Sequence, residues 1–262
     1  MSNILSIPFK ENKKLKTILD FVDGSIELQT LWKCANIQAI DRLGYNDHGP
    51  VHVKIVSNRA LKILRMLLEK NIEPGVKSNY GMTLEDSEVV VVLASIMHDL
   101  GMAVIREGHE IFSAQLAKGI LEKCLKSVYT PEEEAIITSE VLHAIVSHHI
   151  PAKPLTLEAG IVRIADALDM EQGRARIPYE AGKINIHSVS ALSIKKVDIL
   201  EGEDSNKPIK IIIEMSNPAG IFQVDSLLGT KIKDSGLEDY IRVEAIIGDE
   251  RKHILFDKGF RD

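Results

Sequence analysis

Hydrophobic positions in the first two thirds of the chain recur every three or four residues, which is the period of amphipathic helices. After Gly49-Pro50, one helical face carries His52, Val56, Ala60, Ile63 and Leu67. Thr130 and Glu133 match a capping box, with Pro131 in the first helical position. The pattern predicts helices near residues 25–43, 50–67, 84–99, 109–127, 130–149 and 155–170.

The segment 84–99 is apolar on nearly all sides. Its valines are compatible with a strand, because β-branched residues favour strands. Its length and the continuation Ala-Ser-Ile-Met favour a central helix instead, and this helix would end in the doublet His98-Asp99.

Beyond Pro178 the period changes from helical to alternating, which is typical of strands. Alternation covers residues 209–215 and 241–247, weaker strands are expected at 193–200 and 253–256, and residues 222–233 read as a helix. We therefore predict a mostly α protein. Residues 1–180 would form a helical domain and residues 181–262 a small α+β domain of about four strands and one helix, with the boundary near Ala181-Gly182.

Composition narrows the functional classes. The 262 residues contain 32 Lys and Arg against 38 Asp and Glu, a formal net charge of −6. This balance argues against broad nucleic-acid or anionic-membrane binding, which rests on concentrated basic residues. No apolar run reaches the roughly 20 residues of a membrane helix, and the N-terminus lacks a signal-peptide pattern, so we expect a cytoplasmic protein without a membrane partner. The two cysteines form no C-x-x-C pair, which excludes a thiolate zinc site.

Histidines are concentrated in one window, since seven of the nine lie between His48 and His149. A buried Asp99 is costly unless it faces a cation or several donors. His52 and Asp166 also lie on apolar helices, although alone the first reads as a core histidine and the second as an ion-pair partner of Arg163. Together with His98 they form a mixed nitrogen and oxygen donor set that suits Mn, Fe, Co, Ni or Zn.

The order of these residues resembles the HD-domain superfamily of metal-dependent phosphohydrolases. The resemblance covers about residues 30–176 and includes Asp166 within the segment Ile-Val-Arg-Ile-Ala-Asp-Ala-Leu-Asp. It implies an HD-type helical bundle and one or two divalent transition metal ions that activate water for phosphate-ester hydrolysis. The implied ligands of the first metal are His52, His98, Asp99 and Asp166, with Asp99 bridging to any second metal. The additional histidines of the dinuclear branch are matched by His109, His148 and His149.

The segment His48-x-x-x-His52 resembles the paired histidines of cyclic nucleotide phosphodiesterases, in which the first protonates the leaving oxygen. His48 is accordingly expected to be a general acid, with substrate contact or helix entry as the alternatives. Lys153, Arg174 and Arg176 are candidates for gripping phosphate, although charges beside turns are usually only solvated. His143 stands about 140° from His148 around its helix and is expected to have no ligand role.

The implied substrate is a small-molecule phosphate ester, such as that of a nucleotide, cleaved by a phosphodiesterase or phosphomonoesterase. Residues 150–154 read Ile-Pro-Ala-Lys-Pro and lack the Gly-Tyr-Pro segment of cyclic-di-guanylate hydrolases. The C-terminal domain is expected to dimerise the chain or restrict the substrate. Two other functions stay open, an HD-type diiron oxygenase and a non-catalytic nucleotide-binding regulatory module.

Overall fold

A computed structural model describes residues 4–171, 190–248 and 250–254 of the chain. The larger part is helical, and a π-helical turn over Ile37–Arg42 extends the second helix, while a 3-10 turn over Leu100–Ala103 follows the fifth. The helices are α1 (Lys13–Gly24), α2 (Ile26–Asn36), α3 (Pro50–Glu69), α4 (Gly75–Tyr80), α5 (Leu84–Met97), α6 (His109–Leu125), α7 (Pro131–Ser147) and α8 (Leu157–Leu168).

Local signals at the helix ends account for most of these boundaries. The Ser25 hydroxyl accepts a hydrogen bond from the Leu28 amide at 3.2 Å, and Thr130 with Glu133 forms the expected capping box at the start of α7. Pro50 stands in the first turn of α3. The predicted helices are thus confirmed, whereas α1 and the short α4 were not predicted.

The apolar segment after residue 84 is a helix and not a strand. α5 is buried on nearly every face and packs against α3, α7 and α8, so it forms the centre of the bundle. The Trp32 indole of α2 donates a hydrogen bond to the Ile96 carbonyl at 3.0 Å, which fixes the last turn of α5 against α2. The position of the following residues, His98 and Asp99, is therefore set by a fully packed core element.

The C-terminal part is a four-stranded sheet, as predicted. Strand order is β1-β2-β3-β4, with antiparallel outer pairs and a parallel central pair in which Ile211 lies opposite Val243. The strands are β1 (Ile194–Asp204), β2 (Lys207–Met215), β3 (Ile241–Ile247) and β4 (Glu250–Ile254).

The connection from β2 to β3 holds the predicted second-domain helix in a different form. It consists of a π-helical turn over Gln223–Gly229 and a short helix α9 (Thr230–Lys233). A π-helix has more residues per turn than an α-helix, but a stretch of seven residues is too short for the hydrophobic pattern to distinguish the two, so the pattern alone predicts an ordinary helix.

The sheet region packs directly on the helical part. Leu228 and Ile232 are buried in the same hydrophobic core as α8, and a side chain on Gly160 of α8 would place its Cβ 2.3 Å from the Ser235 carbonyl oxygen. Glycine at residue 160 therefore permits this close approach. The predicted boundary near Ala181-Gly182 lies outside the described residues. No helix in the described ranges is long and apolar enough to cross a membrane.

Candidate metal centre

Four side chains from α3, α8 and the end of α5 meet at one point. The Nε2 atom of His52 lies 3.1 Å from Nε2 of His98 and 3.3 Å from Oδ2 of Asp99. Asp166 contributes Oδ1, at 3.4 Å from the His52 nitrogen and 3.7 Å from the His98 nitrogen. We call these four residues the first cluster.

A second cluster lies on the other side of Asp99. Its members are Asp99 Oδ1 and the Nε2 atoms of His109 and His148, which lie 3.2 and 3.7 Å from that oxygen. The two histidine nitrogens are 3.3 Å apart. Asp99 thus directs one carboxylate oxygen into each cluster, which is the arrangement expected of a bridging ligand.

Three of the histidines are oriented by main-chain carbonyls. The Nδ1 atoms of His98, His109 and His148 lie 2.9, 3.0 and 2.6 Å from carbonyl oxygens. In each case the carbonyl belongs to the residue three positions earlier. A carbonyl oxygen only accepts, so Nδ1 of His98 and of His148 carries a proton and Nε2 faces the cluster. His109 differs, because its Nδ1 also lies 3.0 Å from Nη1 of Arg106, which only donates. His98 and His148 directly follow α5 and α7, where the last carbonyls lack helical partners.

His52 is oriented by a carboxylate that sequence reasoning missed. Its Nδ1 lies 2.6 Å from Asp169 Oδ2, which again leaves Nε2 facing inward. Asp169 follows α8 three residues after Asp166 and closes the same sequence segment. Its role depends on contact with a residue 117 positions away, which spacing does not show.

Mutual interactions shift the pKa values in the clusters strongly. Burial alone would lower the pKa of His98, but the carboxylates of Asp99 and Asp166 outweigh it and raise the pKa to about 10. Burial opposes ionisation of Asp99, yet the surrounding histidines hold the pKa of this carboxyl well below its ordinary value. Burial, together with the charge of His98, lowers the pKa of His148.

This donor set fits transition metal ions. Four imidazole nitrogens and three carboxylate oxygens converge here, and once the imidazoles are unprotonated such a set can hold a cation between its members. Ligand atoms about 2.1 Å from one shared ion lie about 3.0–3.5 Å from each other, which matches most separations in both clusters. The mixed nitrogen and oxygen donors suit first-row transition metal ions.

Other predicted site residues lie farther from the clusters. His149 is at the rim with its side chain 38% exposed, 4.0 Å by Nδ1 from Glu110. Lys153 is exposed, whereas Arg174 and Arg176 lie outside the described residues. His143 is half-buried and accepts a hydrogen bond from the Leu155 amide at 3.0 Å.

His48 stands in the loop before α3. Its ring centre is 5.8 Å from that of His52, and its Nδ1 lies 2.7 Å from the Asn46 carbonyl oxygen. The loop is fixed by Asp47, whose Oδ1 accepts hydrogen bonds from the amides of Gly49 and His52 at 3.1 Å. His48 is therefore placed beside the first cluster by a structured helix start.

Comparisons with known proteins agree with this geometry. The chain is 45% identical over 236 residues, 90% of either chain, to uncharacterized protein MJ1020 of Methanocaldococcus jannaschii. It is 27% identical over 199 residues to Ribonuclease Y of Petrotoga mobilis, covering 72% of this chain and 35% of that protein. It is 36% identical over 83 residues to Ribonuclease Y of Desulforamulus reducens, covering 32% of this chain and 14% of that protein.

The chain thus spans about a third or less of these two Ribonuclease Y proteins. No solved structure matches. The family model described as HD domain matches residues 52–171. That range begins at the first histidine of the first cluster and contains every member of both clusters, and the chain belongs to the HD-domain family.

Proposed function

We propose that the chain is a metal-dependent phosphohydrolase that cleaves a phosphate ester of a nucleotide or a related small molecule. The observation that carries this proposal is the sharing of Asp99 between two sets of inward-facing imidazole nitrogens. One or two divalent ions of Mn, Fe, Co, Ni or Zn, when bound, would lower the pKa of a coordinated water and withdraw charge from the phosphoryl group.

The protein's own contribution begins with orientation. The Nδ1 atoms of His98 and His148 are held by carbonyls and that of His52 by Asp169, so these rings need little rearrangement to present Nε2. Burial of His52, His98 and Asp99 keeps bulk water away from the ligand atoms. Both features preorganise the site before substrate arrives.

His48 is the candidate general acid of this mechanism. Because the Asn46 carbonyl engages Nδ1, Nε2 would be the nitrogen that gives a proton to the leaving oxygen. Half-burial beside the first cluster supports a position that substrate reaches.

The substrate class is narrowed by the chain's relatives and its charge. The name Ribonuclease Y favours a phosphodiester among the possible esters, whereas the net charge of −6 favours a small substrate over a long nucleic acid. Phosphate contacts by Lys153, Arg174 and Arg176, a homodimer through the sheet region and a cytoplasmic location stay predictions.

Metal analysis followed by a substrate screen tests the proposal. Protein purified without chelator would be assayed by elemental analysis, then reloaded with Mn, Co, Ni or Fe and offered phosphomonoesters, cyclic and linear phosphodiesters and short RNA. We expect hydrolysis without oxygen consumption. Iron-dependent oxygen uptake would instead identify the oxygenase, and ester binding without turnover would identify the regulatory module.

The matched variants are Asp99→Ala and His143→Ala. Asp99→Ala is expected to lose both bound metal and hydrolysis, because both clusters lose a ligand. His143→Ala removes a histidine of α7 outside the clusters and should retain both properties. Stoichiometric metal with normal turnover in Asp99→Ala would refute the site.

His148→Ala and His149→Ala test the second metal separately. Because His148 lies 3.7 Å from Asp99 and His149 lies at the rim, we expect His148→Ala to lower the metal count from two to about one per chain. An unchanged count in both variants would return these histidines to structural roles.

A further inference from the structure

A lysine from the sheet region contacts the first cluster. The Lys231 ammonium lies 2.5 Å from Oδ2 of Asp166, while Oδ1 of the same carboxylate faces His52 and His98. Asp166 therefore contacts the histidines of the first cluster with one carboxylate oxygen and the Lys231 ammonium with the other. In the sequence, Lys231 was 65 residues from Asp166 and carried no signal for such a role.

The fold holds Lys231 in this position. Leu228 and Ile232, on the same stretch of helix, are buried against the core, and the close approach at Gly160 brings the following Ser235 onto α8. Asp166 belongs to α8, and the segment that carries Lys231 packs on the same helix. Both members of the ion pair are therefore positioned by α8. The contact is thus part of the packing between the sheet region and the bundle.

The ion pair is located where an anion can reach it. The side chains of Lys231 and Asp166 are 18% and 15% exposed, in contrast to the fully buried His52 and His98. The charge of Lys231 also lowers the pKa of rim residue His149, after the larger effects of burial and of His109. Lys231 accordingly borders the open side of the centre.

Substrate charge favours an additional cation at this side. A phosphoryl group approaching the centre meets the Asp166 carboxylate, and like charges at such range repel. An ammonium has three donors, and within the described ranges Asp166 is the acceptor that Lys231 contacts. Arg163 of α8 does not supply this charge, because its side chain is buried and its Nη1 donates to the Ala152 carbonyl at 3.0 Å.

We propose that Lys231 binds a phosphoryl oxygen of the substrate, so that the sheet region completes the phosphate site of the helical bundle. This inference rests on the proposed function and adds to it a specific residue for the substrate's charged group. Asp166 would hold the ammonium in place by its outer oxygen, and the ammonium would shield that oxygen from the anion.

Binding of inorganic phosphate to the metal-loaded protein tests the inference without turnover. Lys231→Met removes the charge at similar length and is expected to weaken phosphate binding about 10- to 100-fold, the usual range for a charged hydrogen bond. Metal content, measured in parallel, should be unchanged. Lys231→Arg should recover most of the affinity. Lys233→Met is the matched control, because Lys233 is exposed on the opposite face of the same helix.

Two results would overturn the inference. One is phosphate affinity in Lys231→Met equal to that of the wild type and of Lys233→Met, including the case in which none of them binds phosphate. The other is loss of metal from Lys231→Met, which would make Lys231 a positioning residue for Asp166. If no ester is hydrolysed but phosphate binding still depends on Lys231, the proposed function fails and the anion site stands. If esters are hydrolysed and Lys231→Met has wild-type KM and phosphate affinity, only the Lys231 inference fails.

Discussion

At the scale of single residues, His48 is where a chemical role and a structural role are hardest to separate. Its amide donates to Asn36 at 2.8 Å, so the residue also belongs to the framework that starts α3. A substitution that retains the main chain and removes the titratable ring is therefore the informative one.

We predict that His48→Gln lowers kcat by about 10²- to 10⁴-fold on an alkyl phosphodiester, the usual contribution of general acid catalysis. A nitrophenyl ester should be affected far less, because its leaving group departs as a stable anion. Steady-state kinetics on both esters, with metal content measured in parallel, checks this. Equal losses on both esters with metal retained would assign His48 to positioning or helix entry.

The sequence predicts a site residue correctly where its type is unusual for its surroundings, such as a histidine or aspartate next to apolar helix positions. His52, His98, Asp99 and Asp166 stand on apolar helices, and the structure brings them together. The sequence does not predict a site role for Asp169 or Lys231, because an acidic or basic residue near a helix end is ordinarily solvated. Only the three-dimensional packing shows which distant side chain each one meets.

At the scale of elements, Asp86 links three parts of the bundle. It belongs to α5, its Oδ1 accepts from Lys14 of α1 and from the Tyr129 hydroxyl, each at 2.7 Å, and its Oδ2 completes the capping box with Thr83. Burial opposes its ionisation, but the hydrogen bonds from these three residues outweigh burial and lower the pKa from its ordinary value of 3.8.

The Asp86 carboxylate should make the free energy of unfolding depend on pH in the acidic range. Since the folded pKa lies below 3.8, the stabilisation is fully present above that pH and is lost as pH falls through the folded pKa. We predict that Asp86→Asn lowers the free energy of unfolding by about 1–3 kcal/mol at pH 7, and that the difference from wild type shrinks in acid. Urea unfolding of metal-free protein at several pH values measures both.

Glu133→Gln is the matched control for this experiment. Glu133 occupies the equivalent capping position of α7 but is only half-buried, whereas Asp86 is fully buried, so its substitution should have a smaller effect. A constant difference between Asp86→Asn and wild type at every pH would contradict the role given to the Asp86 charge.

The elements themselves were largely predictable, because capping residues and hydrophobic period act locally. The helices of the bundle and the four strands follow these signals, including α5, where length decided against a strand. α4 has only six residues, too few for a period to be visible, and the π-helical turns are likewise too short for the pattern to separate them from α-helix.

At the scale of the whole molecule, the two clusters draw on five helical segments, namely α3, α6, the ends of α5 and α7, and α8. A ligand that binds only the folded state stabilises it by mass action. We predict that metal at about 100 times its Kd raises the Tm of the metal-free protein by about 5–10 °C. Thermal unfolding of chelator-treated protein with and without added ion tests this, and an equal rise in Asp99→Ala would contradict it.

The packing of the sheet region on α8 was not predictable from the sequence. Gly160 reads as an unremarkable small residue in a helix, and its meaning appears only with the Ser235 carbonyl beside it. The sequence pattern predicts two kinds of structure in succession, but not that they share one core.

The main-chain carbonyl oxygens that contact the histidine rings determine which substitutions around this centre are tolerated. Ser95 and Ile145 hold their rings by main-chain oxygens, so these two side chains can change during evolution without turning the rings, provided that the helix ends keep their shape. Arg106 contacts the His109 ring through its guanidinium as well as its main chain. Asp169 lacks that freedom, since its side chain does the anchoring. Anyone transplanting this centre into a designed scaffold would therefore copy the ends of α5 and α7 as backbone geometry, and carry over Asp169 and Arg106 as supporting side chains.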